Sequence, residues 1–395
     1  MLLGTALLLA SAAARSENPV ARSGPYEVTL LPPASGLFAE EEMELEFRVL
    51  DTRVASPEGG AAPLLFARFR CEVDMPSMPS MPQFDEVAHR EDVPGVYGVH
   101  PTFPHGGEYR YCISLLPPAE QLAASPRPDA PFTVEFPLEV RDASEGRARR
   151  ARVQPYRLEV ISDGGAPAAG SDAALEIRVR IAGSPDLREV LDFDPVHERP
   201  MHLFLVRRDL AYFAHEHPEL AAPGVFRLRY RFPAPGDYRL FADVAPRDAG
   251  SQVLAADISV RPGASDPPPP SPAPMSPQLW GEAGSMRVDL DPPDGGIPAG
   301  RTVTVAAHIR DRDGRPVEDI QPWLGSLGHL LLVSRDGETF AHAHPDERDP
   351  SIGKAGRIPF LVRLPKPGLY KGWLQFQQSG KIFTAEVALE ATTKD

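Results

Sequence analysis

Six histidines of this chain fall into two matched triplets. The stretch HLFLVRRDLAYFAHEHP runs from His202 to Pro218, and HLLLVSRDGETFAHAHP runs from His329 to Pro345. Each copy has a histidine, twelve residues and then His-x-His-Pro, and the copies align without a gap. Neutral imidazole is the commonest protein ligand for zinc and copper, and three imidazoles leave a coordination position open. His202, His215 and His217, and likewise His329, His342 and His344, are therefore expected to hold a metal ion. Copper is the first expectation and zinc the alternative.

Such residues need an element that gathers them, and each copy reads as a β-hairpin. Asp336-Gly337 is a strong hairpin turn signal. Taking that pair as the turn centre sets Val333 opposite Phe340, Leu331 opposite His342 and His329 opposite His344. Side chains alternate along a strand, so His342 and His344 share a face, with His329 about 4.5–5.5 Å away across the pair. The same register puts His202 opposite His217, with His215 beside them. The shared face also carries Leu331, Val333 and Phe340, or Phe204, Val206 and Phe213. It is expected to face the core of its own domain, with the histidines at the rim. Asp209 and Asp336 read as turn formers at the far end.

A different ligand set stands earlier in the chain. Met75, Met78 and Met81 recur every third residue, each followed by proline. Proline favours polyproline II, with three residues per turn, which would project the three thioethers from one side. Thioether sulfur is soft and selects Cu(I). His89, with His100 and His105, would complete a mixed methionine/histidine site.

Three segments share one phrase: GVYGVHPTFPHGGEYRYC (95–112), GVFRLRYRFPAPGDYRLF (224–241) and RIPFLVRLPKPGLYKGWL (357–374). Gly107, Gly236 and Gly368 supply a tight turn, and Tyr109, Tyr238 and Tyr370 open the next strand. Repeats of this length, built from short strands and Gly/Pro turns, predict an all-β chain. The expected organisation is three tandem immunoglobulin-like β-sandwich domains, at 25–142, 154–262 and 280–392. A basic spacer (143–153) and a proline-rich linker (263–279) separate them. Short helical turns are expected at 117–125 and 186–192.

The composition narrows the function classes. The 46 prolines argue against long helices, and a net charge of −14 disfavours nucleic acid and anionic membrane as partners. Residues 1–14, MLLGTALLLASAAA, resemble a secretory signal peptide and are too short to span a bilayer. The mature protein is expected to be periplasmic or secreted, without a membrane span. Cys71 and Cys112 are the two cysteines. In an exported protein they are expected to form a disulfide across the first sandwich, with free thiols or thiolate ligands as alternatives.

The run from about Phe66 to Leu115, with MPSMP, PGVY and GGEYRY, resembles the small periplasmic immunoglobulin-like domains of the YtkA/FixH kind, and more loosely the copper-resistance sandwiches of the CopC type. That resemblance implies copper handling, with Met75, Met78 and Met81 as soft ligands. The chain departs from the family in adding two domains and in lacking a membrane helix.

The leading expectation is an exported copper chaperone, buffer or resistance factor, with the metal ion and another periplasmic copper protein as partners. The alternative is a structural or adhesive tandem of sandwiches without metal. A metalloenzyme is disfavoured. Glu216 alternates to the opposite face from His215 and His217, and Ala343 replaces it in the other copy.

Overall fold

The computed structural model describes residues 18–57, 59–78, 84–91, 93–116, 132–143, 156–182, 188–247, 249–263 and 275–393. The chain is all-β and immunoglobulin-like, folded as sheet-on-sheet sandwiches. Three apolar cores form, each from one stretch of sequence. The first gathers residues from Tyr26 to Val140, the second from Tyr156 to Val260 and the third from Ala283 to Ala391. The expected signal peptide, most of the basic and proline-rich spacers, and the helical turn at 117–125 lie outside the described residues. Of the turn expected at 186–192, the described part (188–192) contains no helix.

Alternation builds the outer strands. Thr133–Arg141 buries every second side chain, as a strand with one wet face should. The shared Gly/Tyr phrase performs the same task three times. Gly107, Gly236 and Gly368 take φ of 145°, 130° and 125°, a region that favours glycine. The tyrosine two residues later then donates its hydroxyl hydrogen to the carbonyl four residues upstream. Tyr109 reaches His105 at 2.8 Å, Tyr238 reaches Ala234 at 2.8 Å and Tyr370 reaches Lys366 at 2.9 Å. A tyrosine so placed pins the corner of an immunoglobulin-like sandwich.

The cysteines do not pair. Phe69–Asp74 and Gly107–Leu115 are neighbours in one sheet, with Cys71 opposite Ile113 and Cys112 opposite Glu72. Directly opposed residues share a face and successive residues alternate, so the two thiols point to opposite sides. Both are free, Cys71 buried and Cys112 partly exposed. The expected bridge across the sandwich fails because the residues occupy adjacent strands one register step apart.

The strands His202–Arg207 and His329–Ser334 are buried at every position. Leu203 and Leu205 enter the second core, and Leu330 and Leu332 the third. Their alternates do not. Phe204, Val206 and Phe241 of the second sandwich meet Leu331, Val333 and Trp373 of the third in a separate apolar cluster. Phe213 stacks on Trp373 with centroids 4.8 Å apart, and Phe340 stacks on Phe241 at 4.7 Å. The histidine-bearing face therefore does not line each domain's own core, as expected above, but joins the two sandwiches. An uninterrupted apolar run such as HLFLV or HLLLV is the mark of a strand covered on both sides.

The first sandwich also docks on the other two. Leu31, Val93 and Val96 pack with Val196 and Ala245, and Arg48 pairs with Asp194. Arg348 donates to the Val87 carbonyl at 3.0 Å, and the Thr302 backbone donates to Glu42 at 2.8 Å.

Candidate metal centre

Both hairpins adopt the register expected from sequence. Phe204 faces His215 and Val206 faces Phe213, while Leu331 faces His342 and Val333 faces Phe340. The turn is not a two-residue Asp-Gly turn. In one copy the Gly337 N–H closes on the Ser334 carbonyl at 2.7 Å, and in the other the Leu210 N–H closes on Arg207 at 2.7 Å. Gly337 (φ 72°) and Leu210 (φ 60°) each follow in left-handed conformation. Asp209 accepts hydrogen bonds from Arg207 and the Ala211 N–H, and Asp336 from Ser334 and the Glu338 N–H. Both are turn formers.

In the first triplet, His202 Nδ1 lies 2.9 Å from His215 Nε2 and 3.2 Å from His217 Nε2. The outward nitrogens decide where the protons sit. His202 Nε2 lies 2.8 Å from the Val196 carbonyl oxygen, which can only accept. His215 Nδ1 lies 2.9 Å from Gln375 Oε1, whose amide nitrogen is turned to Thr384 Oγ1 at 3.1 Å. The His202 ring thus spends its proton outward. Burial, and then the neighbouring imidazoles, push His202 down to about 3 and His215 well below the usual histidine range. His202 is neutral at pH 7, so its Nδ1 turns a lone pair towards the Nε2 atoms of His215 and His217. Burial and then Arg199 lower His217 to about 4, leaving its imidazole neutral as well. Nitrogens bound to one metal at about 2.0–2.1 Å sit about 2.9 Å apart at a right angle and about 3.3 Å apart at the tetrahedral angle. The observed spacings suit such an ion.

The second triplet is built differently: among the described residues His197, not His329, groups with both His342 and His344. His329 Nε2 donates to the Trp323 carbonyl at 3.1 Å, and its Nδ1 lies 3.3 Å from His342 Nε2. His342 Nδ1 meets Asp243 Oδ2 at 3.0 Å. Burial, then His197 and His342, hold His329 well below the usual range. Here the second sandwich supplies the third candidate ligand in place of His329. The ligand atoms of His197, His342 and His344 lie within 4.8 Å of one another, and the His197 ring is centred 4.6 Å from that of His329. His197 and Glu198 both take positive φ, 43° and 65°, in a tight turn closed by paired Val196 and Arg199 hydrogen bonds. That backbone is strained for these residues, and such strain clusters at working sites. Leu324 and Gly325 hold the matching turn in the third sandwich, so the counterpart of His197 there is not a ligand.

The outer contacts cross the interface in both directions. Gln375 of the third sandwich holds His215 of the second, and Asp243 of the second holds His342 of the third. Metal-bound histidines characteristically give their second N–H to such a partner. Sequence reasoning missed both partners and the entry of His197 into the centre of His342 and His344. The available signal was Asp243 itself, a carboxylate inside the apolar strand LFADVA and only 2% exposed.

Met75 and Met78 do not share a face. Met75 is buried in the first core, whereas Met78 is 46% exposed. The Met78 N–H closes a turn on the Met75 carbonyl at 2.8 Å, so the chain bends there rather than extending as polyproline II. Met81 lies outside the described residues. His105 hydrogen-bonds within its own turn. His89 is buried away from solvent against Glu91 and stacked on His100.

Comparison with known proteins places the chain by family. No curated protein matches it. Among solved structures it is similar to a 1.5-MDa bacterial ice-binding adhesin, with 10% identity over 96% of this chain and 99% of that one and a TM-score of 0.21. It is also similar to the Escherichia coli adhesin FdeC, with 10% identity over 95% and 99% and a TM-score of 0.20. A third is invasin, a bacterial integrin-binding protein, with 11% identity over 93% and 60% and a TM-score of 0.18. Likenesses this low carry nothing about function. Residues 151–261 and 282–393 both match a family described as a domain of unknown function, DUF8832, and each match contains one histidine triplet. Together the matches cover more than half of the sequence, and the chain belongs to the DUF8832 family.

Proposed function

We propose that this protein binds divalent metal, Cu(II) or Zn(II), between its second and third sandwiches. One observation carries the reading: Nε2 of His215 and Nε2 of His217 converge on the His202 Nδ1 lone pair at 2.9 and 3.2 Å, the His202 proton being committed to the Val196 carbonyl. All-imidazole donor sets suit both ions, and intrinsic affinity ranks Cu(II) above Zn(II). With Met75 buried in the first core and Met78 exposed, the thioethers among the described residues do not converge on Cu(I). The role in this reading is an exported buffer, chaperone or resistance factor, and export rests on the apolar run at residues 1–14. The ion would also clamp two sandwiches, because ligands and their hydrogen-bond partners come from both.

The second reading is a metal-free structural or adhesive tandem, in which the imidazoles are a polar clamp. It is favoured by the apolar cluster of Phe204, Val206, Phe241, Leu331, Val333 and Trp373, which joins the sandwiches without an ion. Untagged, chelator-stripped protein titrated with Cu(II) and Zn(II) separates the two. Metal binding predicts tight uptake that is lost in His215→Ala/His342→Ala. Equal uptake by wild type and the double variant, or none by either, supports the metal-free tandem.

A further inference from the structure

A second kind of ligand cluster lies in the first sandwich. His89 and Gly98 face each other across paired strands, and Gly98 in turn pairs with Glu46. One ligand atom from each of Glu44, His89 and His100 lies within 4.8 Å of the others, and the same holds for Glu44, Glu46 and Glu91. His89 Nε2 is 2.7 Å from Glu91 Oε1, and the His89 and His100 rings are stacked with centroids 4.7 Å apart. His89 is 6% exposed, and its Nδ1 has no hydrogen-bond partner among the described residues. Gly98 keeps the centre open. A Cβ there would stand 3.2 Å from His89 Nε2 and would collide with the Glu91 carboxylate.

We propose that Glu44, His89 and His100 form a separate divalent-cation site, with Glu46 and Glu91 as neighbouring carboxylates. It differs in chemistry from the imidazole triplets. Two imidazoles and a carboxylate suit Fe(II) or Mn(II), and oxygen ligands favour harder ions than all-histidine sites do. Repulsion among three carboxylates is relieved by a cation and aggravated without one. The site also touches the other centre, because Glu91 Oε2 lies 4.0 Å from His344 Nδ1.

Mn(II) is the probe, followed by the loss of the free aqua-ion signal in electron paramagnetic resonance on full-length, chelator-stripped protein. Wild type should take up one Mn(II) per chain at this site. His215→Ala/His342→Ala should retain that uptake while losing the Zn(II) equivalents held between the second and third sandwiches, so the two sites fail independently. His89→Ala and Glu44→Gln should each weaken Mn(II) binding about tenfold or more, since even outer-shell losses cost about 10–100-fold. Glu44 is the safer position, because its side chain is 48% exposed and the substitution keeps its shape. Thermal melting of the metal-free proteins checks that each variant is folded. No uptake by wild type overturns the site. So does unchanged uptake in folded Glu44→Gln, or uptake abolished by the histidine double variant.

Discussion

Replacing Asp243 with asparagine should weaken the centre of His342 far more than that of His202, which Asp243 faces across the strands without a hydrogen bond to its ring. Asp243 is 2% exposed, accepts the Nδ1 proton of His342 at 3.0 Å and takes a second hydrogen bond from Ser251 at 2.9 Å. A carboxylate behind a ligating imidazole raises the basicity of the metal-bound nitrogen. Asparagine still accepts through its Oδ1, so the tautomer survives and the charge alone is removed. Gln375 already holds His215 in this neutral fashion in the other triplet. The variant therefore converts one outer contact into the kind its twin uses. Losing such a partner costs about 10–100-fold in affinity, about 1.4–2.8 kcal/mol. Zn(II) competition against a chromophoric chelator, fitted to two sites, should show one constant falling by that factor. Gln375→Glu should do the reverse and tighten the centre of His202, His215 and His217. Equal weakening of both sites by Asp243→Asn, or none, would refute the argument that these contacts tune the metal.

Acid should destabilise the metal-free protein in a defined window. His202 falls to about 3 in the folded state against about 6.5 unfolded, so the unfolded chain binds more protons between these values. Its contribution is fully present above about pH 6.5 and is lost as pH falls towards 3, at up to about 1.4 kcal/mol per pH unit. Urea melts across that range should show the loss, and His202→Gln should flatten it. Trp373→Ala opens the apolar joint and should cost about 3–5 kcal/mol, most of it as uncoupling of the second and third sandwiches in calorimetry. Thiol titration should find Cys112 reactive in the native protein and Cys71 reactive only on unfolding. Burial holds the Cys71 thiol far above the ordinary range. A reductant should leave the melting temperature unchanged.

Much of the candidate centre was legible because hairpin register is local. Twelve residues separate His202 from His215, and one turn sets their approach. The three Gly/Tyr corners were legible for the same reason. What sequence could not supply was which surfaces meet. The path of His197 into the centre of His342 and His344, and the exchange of Asp243 and Gln375, depend on how two sandwiches dock. The cysteine pairing failed on strand order, which places Cys71 and Cys112 side by side in one sheet. Met75 and Met78 part because burying Met75 in the core outweighed the polyproline preference of its neighbours.

The coordination shell of the loaded protein tests the central claim most directly. X-ray absorption fine structure of the zinc-bound form should show a nitrogen shell at about 2.0–2.1 Å, with the outer scattering of at least three imidazoles per ion. A sulfur shell at about 2.3 Å, or a shell of oxygens without imidazole scattering, would contradict it.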